Sequence, residues 1–316
     1  MEEKIFTRRD FIRAAAGAAV ATALGCGILD EAQAQPAAKV VLIRNARVLS
    51  QPDKMQEILQ SMLDEAVKAL LGTSEPLEAW GKLIKSSDVV GVKTNVWAKL
   101  PTPKALEGAI KRRVLDVGVP EKNMDIDDRG VLKNPIFHKA TGLINVRPLR
   151  THRWAGIGTC LKNYIQFDPD RPSFHEDACA ALGKIWSYPI VQGKTRLNIL
   201  SALTPQFYGR GTNVDPRYVW PYGGLIVGTD PVAVDTIGAH LVQVKRIAFF
   251  GEDQPMDSLP SHIVVADKKY HLGISDLNRI QLIKLDYSQN EIDIHTQQRG
   301  SWIRKDYRGD QVEFDL

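Results

Sequence analysis

The first half of the sequence alternates between short apolar runs and longer amphipathic segments. Residues 40–44, 88–95 and 124–129 are the strand-like segments, and each has the length of a buried strand. Residues 55–71 and 103–117 carry apolar side chains at helical spacing. Strands that alternate with helices predict an α/β fold, with a mostly parallel sheet, helices on both of its faces and further β-structure added at the C-terminus.

Polar side chains lie at the ends of the predicted strands. Lys93 and Asn95 end the second run, and Asp127 and Asp128 end the third. In sheets of this class, ligands bind outside the carboxyl ends of the strands. We therefore expect these side chains to share one edge of the sheet.

Two predicted helix starts carry a capping residue followed by proline. Thr102 precedes the segment 103–117, and Asp230 precedes the segment 231–245. A small polar N-cap with proline at the first helical position is a common start signal. We expect Thr102 and Asp230 to cap these helices.

Two later segments are read from their apolar pattern. Residues 174–187 predict a helix in which His175 and Cys179, four positions apart, lie on one face. Residues 262–266 predict a strand.

Residues 145–163 have the composition of a ligand site. A strand-like run leads into Arg150 and His152, and a glycine-rich turn then leads into Lys162 and Asn163. Glycine lets the backbone approach a ligand closely. A solvated basic loop is the alternative, but the coincidence of strand end, glycines and reactive side chains favours a site.

Metal binding is the first of three chemistries that this stretch can support. His152, with His175 and Cys179, would supply imidazole and thiolate ligands, which suit nickel, zinc or iron. Packing of His175 and Cys179 in the core explains the same spacing.

Anion binding is the second. Lys93, Asn95, Arg150, Lys162 and Asn163 supply positive charge and amide donors that suit a carboxylate or phosphate. The alternative is that each basic side chain is solvated or paired by itself.

Acid–base chemistry is the third. His152 would exchange a proton in concert with Asp127, Asp230 or Asp235, because histidine titrates near working pH with little perturbation. Against this reading, Asp230 has a structural role as a helix cap, and Asp235 can serve to orient a loop.

The cysteines exclude some kinds of site and leave one question open. The chain contains three, Cys26, Cys160 and Cys179, and no C-x-x-C motif, so no sequence-local iron–sulfur, haem or structural zinc motif is present. Cys160 and Cys179 can pair as a disulfide in an oxidising compartment. Such a pair would remove both thiols from any ligand set.

Residues 1–34 predict a twin-arginine signal peptide. Arg8 and Arg9 precede an apolar run that is shorter than the ~20 residues of a membrane span, and a small-residue site predicts cleavage after Ala34. The expected partner is the twin-arginine translocase, and the expected location is the periplasm or another extracytoplasmic space. Alternatively, a lipoprotein-like box would leave a lipidated Cys26 as a membrane anchor.

Six signatures form a pattern along the chain, at residues 88–95, 155–163, 174–179, 218–224, 229–238 and 273–279. Together they resemble the twin-arginine-exported branch of the family called domain of unknown function 362, over most of residues 40–285. One departure is Arg150, where that family commonly has lysine; arginine keeps the charge but cannot act as an amine nucleophile.

His152, the glycine-rich turn and Lys162 are also distantly similar to the nickel-pincer lactate racemase family. In that family the lysine of this pattern tethers the pincer cofactor, and histidines bind nickel or move a proton. The likeness implies that Lys162 binds a cofactor and that His152 is a ligand or base.

These observations predict an exported enzyme that acts on a small anionic organic metabolite with a metal or metal–organic cofactor. Isomerisation by proton or hydride transfer is the reaction that the resemblance implies. The alternative is a non-catalytic periplasmic protein that binds an anion or metal for a partner. A formal net charge of +4 does not indicate a nucleic-acid partner. We expect residues 35–316 to form one α/β domain, or two lobes at 35–145 and 146–316.

Overall fold

The computed structural model describes residues 38–211, 214–252, 254, 256–286, 302–305 and 311–314. The predicted signal peptide and Cys26 lie outside these ranges. No helix in the described ranges is both long and apolar enough to cross a membrane.

Most of the strands form one sheet. They are β1 Ala38–Arg44, β2 Val90–Lys93, β3 Met124–Asp127, β4 Gly142–His152, β5 Gly156–Gly158, β6 Thr195–Gln206, β7 Gly224–Gly228 and β8 Ile280–Asp286. Their order is β3-β2-β4-β6-β7-β1-β8, with β5 paired to β4 outside this path. Pairing is parallel except at β5 and at β7, which is antiparallel to both of its neighbours. The mostly parallel sheet is confirmed.

The C-terminal β additions are also present. Strand β8 pairs in parallel with β1 at one edge of the sheet. A separate antiparallel pair follows, formed by β9 Trp302–Lys305 and β10 Gln311–Phe314.

Helices cover both faces of the sheet, as expected. They are α1 Arg47–Ser50, α2 Met55–Leu71, α3 Pro76–Leu83, α4 Lys104–Asp116, α5 Pro135–Lys139, α6 Cys160–Asn163, α7 Pro231–Phe250 and α8 Ser261–Lys268. Alternate residues of β1 enter two different cores: Val40 and Leu42 pack towards α7, and Val41 and Ile43 pack towards α2. This alternation follows from the period of two along a strand.

Strand β4 carries the site stretch. It runs without a break from Gly142 to His152, so a lobe boundary between residues 145 and 146 would fall inside it. Parallel partners flank it, with β2 on one side and β6 on the other. The first half of the site stretch therefore belongs to the centre of the sheet.

The cap predicted at Thr102 is wrong. Helix α4 begins at Lys104, and no side chain caps it. The hydroxyl of Thr102 instead accepts the backbone N–H of Asn95 at 3.2 Å, and the backbone N–H of Thr102 donates to the Asn95 carbonyl at 2.8 Å. Thr102 closes the loop after β2.

The cap predicted at Asp230 is confirmed. Its Oδ1 accepts the backbone N–H groups of Val232 at 2.8 Å and Ala233 at 2.9 Å, at the start of α7. Its Oδ2 accepts the N–H of Ile274 at 2.9 Å. Asp230 thus has three backbone partners and a structural role.

The helix predicted at residues 174–187 is wrong. Asp177, Ala178 and Cys179 have φ angles of 49°, 48° and 64°, in the left-handed region. That conformation costs a non-glycine residue about 1–3 kcal/mol. His175 and Cys179 therefore do not share a helical face. The chain forms two 3₁₀ segments here, Arg171–His175 and Asp177–Ser187.

The strand predicted at residues 262–266 is helix α8. Its β-branched residues favour a strand by local preference. His262, Ile263 and Ala266 are buried at helical spacing, so the tertiary contacts of α8 override that preference.

Candidate functional site

A row of polar side chains crosses the sheet at the level of Lys93. Lys93, Asn145 and Asn198 are register partners on β2, β4 and β6. The Nδ2 of Asn145 donates to Asn198 Oδ1 at 3.1 Å and to the Cys160 carbonyl at 3.0 Å. The Nδ2 of Asn198 donates to the Thr229 carbonyl at 3.1 Å. The row connects four strands or their ends. The sequence analysis assigned no role to Asn145 or Asn198.

Asn163 joins helix α6 to this row. Its Nδ2 donates to Asn145 Oδ1 at 2.9 Å and to the carbonyls of Lys93 and Val146, both at 3.1 Å. Its Oδ1 accepts the Nδ2 of Asn95 at 3.2 Å. These contacts occupy the amide donors of Asn163. Asn163 and Asn95 therefore position α6 in the described contacts, whereas the sequence assigned both to anion binding.

Lys93 is fully buried and engaged in an ion pair. Its Nζ donates to Asp128 Oδ1 at 2.5 Å, to the Thr94 carbonyl at 2.7 Å and to Asn163 Oδ1 at 3.4 Å. Burial lowers the pKa of Lys93 to about 8, against the opposing effect of Asp128. Its three N–H donors have acceptors, so Lys93 has no free donor for the anion that the sequence assigned to it.

Asp235 holds the turn that leads into α6. Its carboxylate accepts the hydroxyl of Thr159 at 2.6 Å and the backbone N–H groups of Cys160 at 2.7 Å and Leu161 at 2.8 Å. Burial raises its pKa to about 7, against these hydrogen bonds and the charge of Arg147. The expectation that Asp235 orients a loop is confirmed.

Three buried cations meet where β4 and α6 come together. Arg147, Arg150 and Lys162 are 2%, 6% and 4% exposed. Among the described residues, the chain has no acidic side chain within salt-bridge distance of any of the three. The sequence reading assigned no role to Arg147, although it lies inside the stretch 145–163.

Each of these cations makes few contacts. Arg147 donates from Nη1 to the Thr159 carbonyl at 3.1 Å, and Arg150 donates from Nη1 to the Gly211 carbonyl at 3.3 Å. The Nε of both arginines lacks a partner in the described part of the chain. A Cβ at Gly158 would lie 2.7 Å from Nη2 of Arg147, so any larger residue there would displace this guanidinium. Lys162 Nζ lies 3.6 Å from Cys179 Sγ.

Mutual repulsion accompanies this burial. Burial, together with the charges of Arg147 and Arg150, lowers the pKa of Lys162 to about 8 against the opposing effect of Cys179. Burial and Arg147 together lower the pKa of Arg150. Repulsion therefore acts on Lys162 and Arg150, whereas the charges of Asp235 and Asp128 partly offset the burial of Arg147. A bound anion would relieve the repulsion at Lys162 and Arg150.

His152 is affected by the same three charges. Burial is the main cause that lowers the pKa of His152 far below its ordinary value. The charges of Lys162, Arg150 and Arg147 act in the same direction. Its Nδ1 accepts the backbone N–H groups of Trp154 at 3.2 Å and Ala155 at 3.3 Å. The ring is therefore neutral with its proton on Nε2, and it is a hydrogen-bond donor.

The acid–base pairing expected for His152 is not formed. Asp127 accepts the backbone N–H groups of Asp128 at 2.6 Å and Gly130 at 3.0 Å, and Asp230 and Asp235 hold helix starts as described above. The ring hydrogen bonds of His152 go to backbone groups. The expectation of a little-perturbed histidine is wrong, because burial among cations disfavours its protonated form.

His262 joins the cluster from the other end of the chain. It is fully buried on α8, and neither ring nitrogen has a partner among the described residues. Burial, with a smaller effect of the charges of Lys162 and Arg147, lowers the pKa of His262 to about 3. The sequence reading gave His262 no role, and its apolar flanks carry no signal of one.

Aromatic rings line the outer side of the cluster. Arg150 lies over the ring of Trp97, 4.1 Å from the centroid. The rings of His152 and His175 are nearly parallel with centroids 6.2 Å apart, and Trp154 lies 4.5 Å from His175. Trp154 is 40% exposed and forms the part of this ring group that reaches the surface.

The predicted metal ligands are only partly brought together. His152 and His175 are neighbours, and Cys179 contacts Lys162. No group of three or more His, Cys, Asp or Glu within the described ranges is arranged to hold a metal ion. Cys160 and Cys179 are free and buried, so the disulfide alternative is wrong. Burial raises the pKa of both thiols, which disfavours the thiolate that a metal needs.

Comparison with known proteins bears on the centre of the chain. Residues 117–240 match the family model described as Domain of unknown function (DUF362). The DUF362 match supports the family that the sequence resembles, and the matched range contains Arg147, Arg150, His152 and Lys162. Lys93 and His262 lie outside it. No curated protein and no solved structure matches the chain.

Proposed function

We propose that this protein binds a small organic anion, a carboxylate, at the buried cluster of Arg147, Arg150 and Lys162. One observation carries the proposal: these three cations are buried together, and in the described part of the chain none has a carboxylate partner. This is the binding function that the sequence offered as its alternative, and it requires no turnover.

Energetics support an anionic ligand. A charge buried without a counter-ion costs several kcal/mol, on the order of the stabilisation of a whole domain. Two other buried or half-buried cations in the described part of the chain have carboxylates: Lys93 pairs with Asp128, and Arg113 pairs with Asp64. A bound carboxylate would supply the same compensation at the site, and guanidinium groups bind carboxylates through paired hydrogen bonds.

The hydrogen-bonding groups around the cluster suit an oxygen-rich ligand. The Nε atoms of Arg147 and Arg150 have no partner among the described residues. His152 can donate from Nε2, because its Nδ1 is an acceptor for backbone N–H groups. His262 adds one donor and one acceptor. Such donors would fix the orientation of the carboxylate.

The rings beside the cluster favour an organic ligand over an inorganic anion. Trp97 lies against Arg150, and Trp154 and His175 lie against His152. Apolar rings next to a charged centre suit a ligand with a charged head and a carbon body. Phosphate would use the cations alone.

The nickel, zinc or iron cofactor implied by the racemase likeness does not fit these donors. His152 Nδ1 is engaged with backbone N–H groups, and the Cys179 thiol has a raised pKa. Arg147, Arg150 and Lys162 would repel a metal cation. The proposal therefore includes no metal and no isomerisation through one.

Export by the twin-arginine translocase is part of the proposal. Its support is Arg8 and Arg9, followed by Phe11 and an apolar run. Replacing both arginines with lysine keeps the charge and should leave the precursor in the cytoplasm, as measured by cell fractionation. Periplasmic delivery of that variant would contradict the proposal. If the unaltered protein is found in the membrane fraction and the Cys26→Ser variant in the soluble fraction, Cys26 carries a lipid anchor.

Calorimetric titration of the purified protein tests the binding function. The probes are propionate, benzoate, inorganic phosphate and the neutral propionamide. We expect the carboxylates to bind and the amide not to bind. Arg150→Gln should weaken binding by about 10-fold to 100-fold, since a hydrogen bond to a charged group contributes about 1.5–3 kcal/mol.

Arg217→Gln is the matched control, because Arg217 is 75% exposed on the side chain and pairs with Asp215 away from the cluster. Its affinity should equal that of the unaltered protein. Equal binding of propionate and propionamide, or no carboxylate binding at all, would refute the proposal. Phosphate binding tighter than that of both carboxylates would replace the organic ligand with an inorganic one.

A further inference from the structure

Two buried lysines of this chain differ in what their amines contact. Lys93 Nζ donates to Asp128 at 2.5 Å and to the Thr94 carbonyl at 2.7 Å. The contact that the structure gives Lys162 Nζ is Cys179 Sγ at 3.6 Å. Sulfur is a weak acceptor, so the amine of Lys162 is not held in an ion pair.

The neighbours of Lys162 favour its neutral form. Burial, together with the charges of Arg147 and Arg150, lowers its pKa to about 8, although Cys179 opposes the shift. A neutral amine is a nucleophile, and a cation beside a lysine is one way in which proteins activate it. The same two guanidinium groups would draw a carboxylate to within reach of the amine.

We propose that Lys162 forms an imine with the carbonyl carbon of a small 2-oxo acid whose carboxylate is bound by Arg147 and Arg150. This inference rests on the proposed anion-binding function and names the class of ligand for the same site. In a 2-oxo acid the carbonyl carbon is directly attached to the carboxylate. An amine next to the carboxylate site can therefore reach that carbon.

The reaction is a condensation with no change in oxidation state. The lone pair of Nζ attacks the carbonyl carbon, and a C–N bond forms. One amine proton moves to the carbonyl oxygen to give a carbinolamine. The C–O bond then breaks, and the oxygen leaves as water with the second amine proton. Amine and ketone thus give imine and water, with no other reactant.

His262 is suited to carry protons between these atoms. Burial lowers the pKa of His262 to about 3, and the charge of Lys162 is the next cause. Its two ring nitrogens have no partner among the described residues. A neutral imidazole offers one donor and one acceptor, which is the pair that a proton relay needs.

Reductive trapping tests the imine. The protein is incubated with pyruvate and cyanoborohydride, which reduces an imine to a stable secondary amine, and is then analysed by intact mass and peptide mapping. We expect one adduct per chain, at Lys162. Excess propionate, which has the carbon skeleton of pyruvate without its carbonyl oxygen, should suppress it.

Lys162→Arg is the matched variant, since it keeps the positive charge but has no amine that forms an imine. It should bind propionate in the calorimeter and form no adduct. If that variant fails to fold, peptide mapping of the unaltered protein still shows whether the adduct is on Lys162. Propionate binding with no adduct, or an adduct spread over exposed lysines such as Lys104, would overturn the imine alone. Failure to bind propionate and failure to form an adduct would overturn the anion site as well.

Discussion

The carboxylate of Asp235 accepts the backbone N–H of Cys160 at 2.7 Å, across 75 residues of chain. This bond joins the first turns of α7 to the first residue of α6. Lys162 lies two residues further along α6, so the position of its amine depends on Asp235. Asn163 secures the other end of the same short helix to β2 and β4.

Asp235→Ala should destabilise the protein strongly. It would leave the buried N–H groups of Cys160 and Leu161 and the hydroxyl of Thr159 without their acceptor, at about 1–3 kcal/mol each before relaxation. Urea denaturation should show a loss of about 3 kcal/mol or more. Asp53→Ala, at an exposed position, is the control and should change the free energy of unfolding by less than about 0.5 kcal/mol. Equal effects would refute the role of Asp235.

Lys93→Met and Lys162→Met should change stability in opposite directions. The first variant leaves Asp128 buried without its cation, which costs about 3–5 kcal/mol. The second removes a buried charge that has no carboxylate partner in the described chain and is repelled by Arg147 and Arg150. We expect it to stabilise the ligand-free protein by about 1–3 kcal/mol. Urea midpoints at pH 7 measure both, and a loss of stability in Lys162→Met would contradict the charge arrangement.

Anion affinity should fall as the pH rises above about 8. In the free protein Lys162 has a lowered pKa of about 8, so it is charged below that value. A bound anion favours the charged amine and raises its pKa. Below pH 8 both states are therefore protonated and affinity is constant. Above it the free protein loses the proton first, and affinity falls by up to about tenfold per pH unit.

Titration of propionate between pH 6 and pH 10 measures this dependence. Lys162→Arg should remove the part of the fall that Lys162 causes, because arginine stays charged over this range. An affinity that increases above pH 8 would mean that the anion binds elsewhere.

Ala178→Gly should stabilise the protein by about 1 kcal/mol. Ala178 has a φ of 48°, which glycine adopts without the steric cost of a Cβ. Ala180→Gly, at a neighbouring position that has a negative φ, should instead lose about 0.5–1 kcal/mol of stability. Thermal unfolding compares the two. If both variants lose stability, the left-handed backbone before Cys179 is not strained.

Local sequence signals predicted much of the fold. The strand-like segments at residues 40–44 and 124–129 became β1 and β3, and residues 55–71 became α2 with the same bounds. Asp230 before a proline predicted a cap that is present. These features depend on interactions between residues that are close in sequence, and such interactions do not require the rest of the fold.

Predictions failed where distant contacts decide the conformation. Residues 174–187 have a helical pattern, but the chain turns through left-handed residues there and brings Cys179 to Lys162. Residues 262–266 have a strand-like composition, but they form part of helix α8, in which His262, Ile263 and Ala266 are buried. Local preference was outweighed by packing in both segments.

The site shows the same division. The sequence by itself placed Arg150, His152, Lys162 and Asn163 in one stretch at the end of a strand-like run, and Arg150 and His152 are among the last residues of β4. Only the tertiary structure decided which basic residues are paired. Asp128 and Asn163 occupy the amine of Lys93, whereas Lys162 remains beside two arginines and His262. Pairing depends on atoms that are many residues apart in sequence. Removing one partner of a buried pair costs about 3–5 kcal/mol, because the remaining charge has neither water nor a counter-ion.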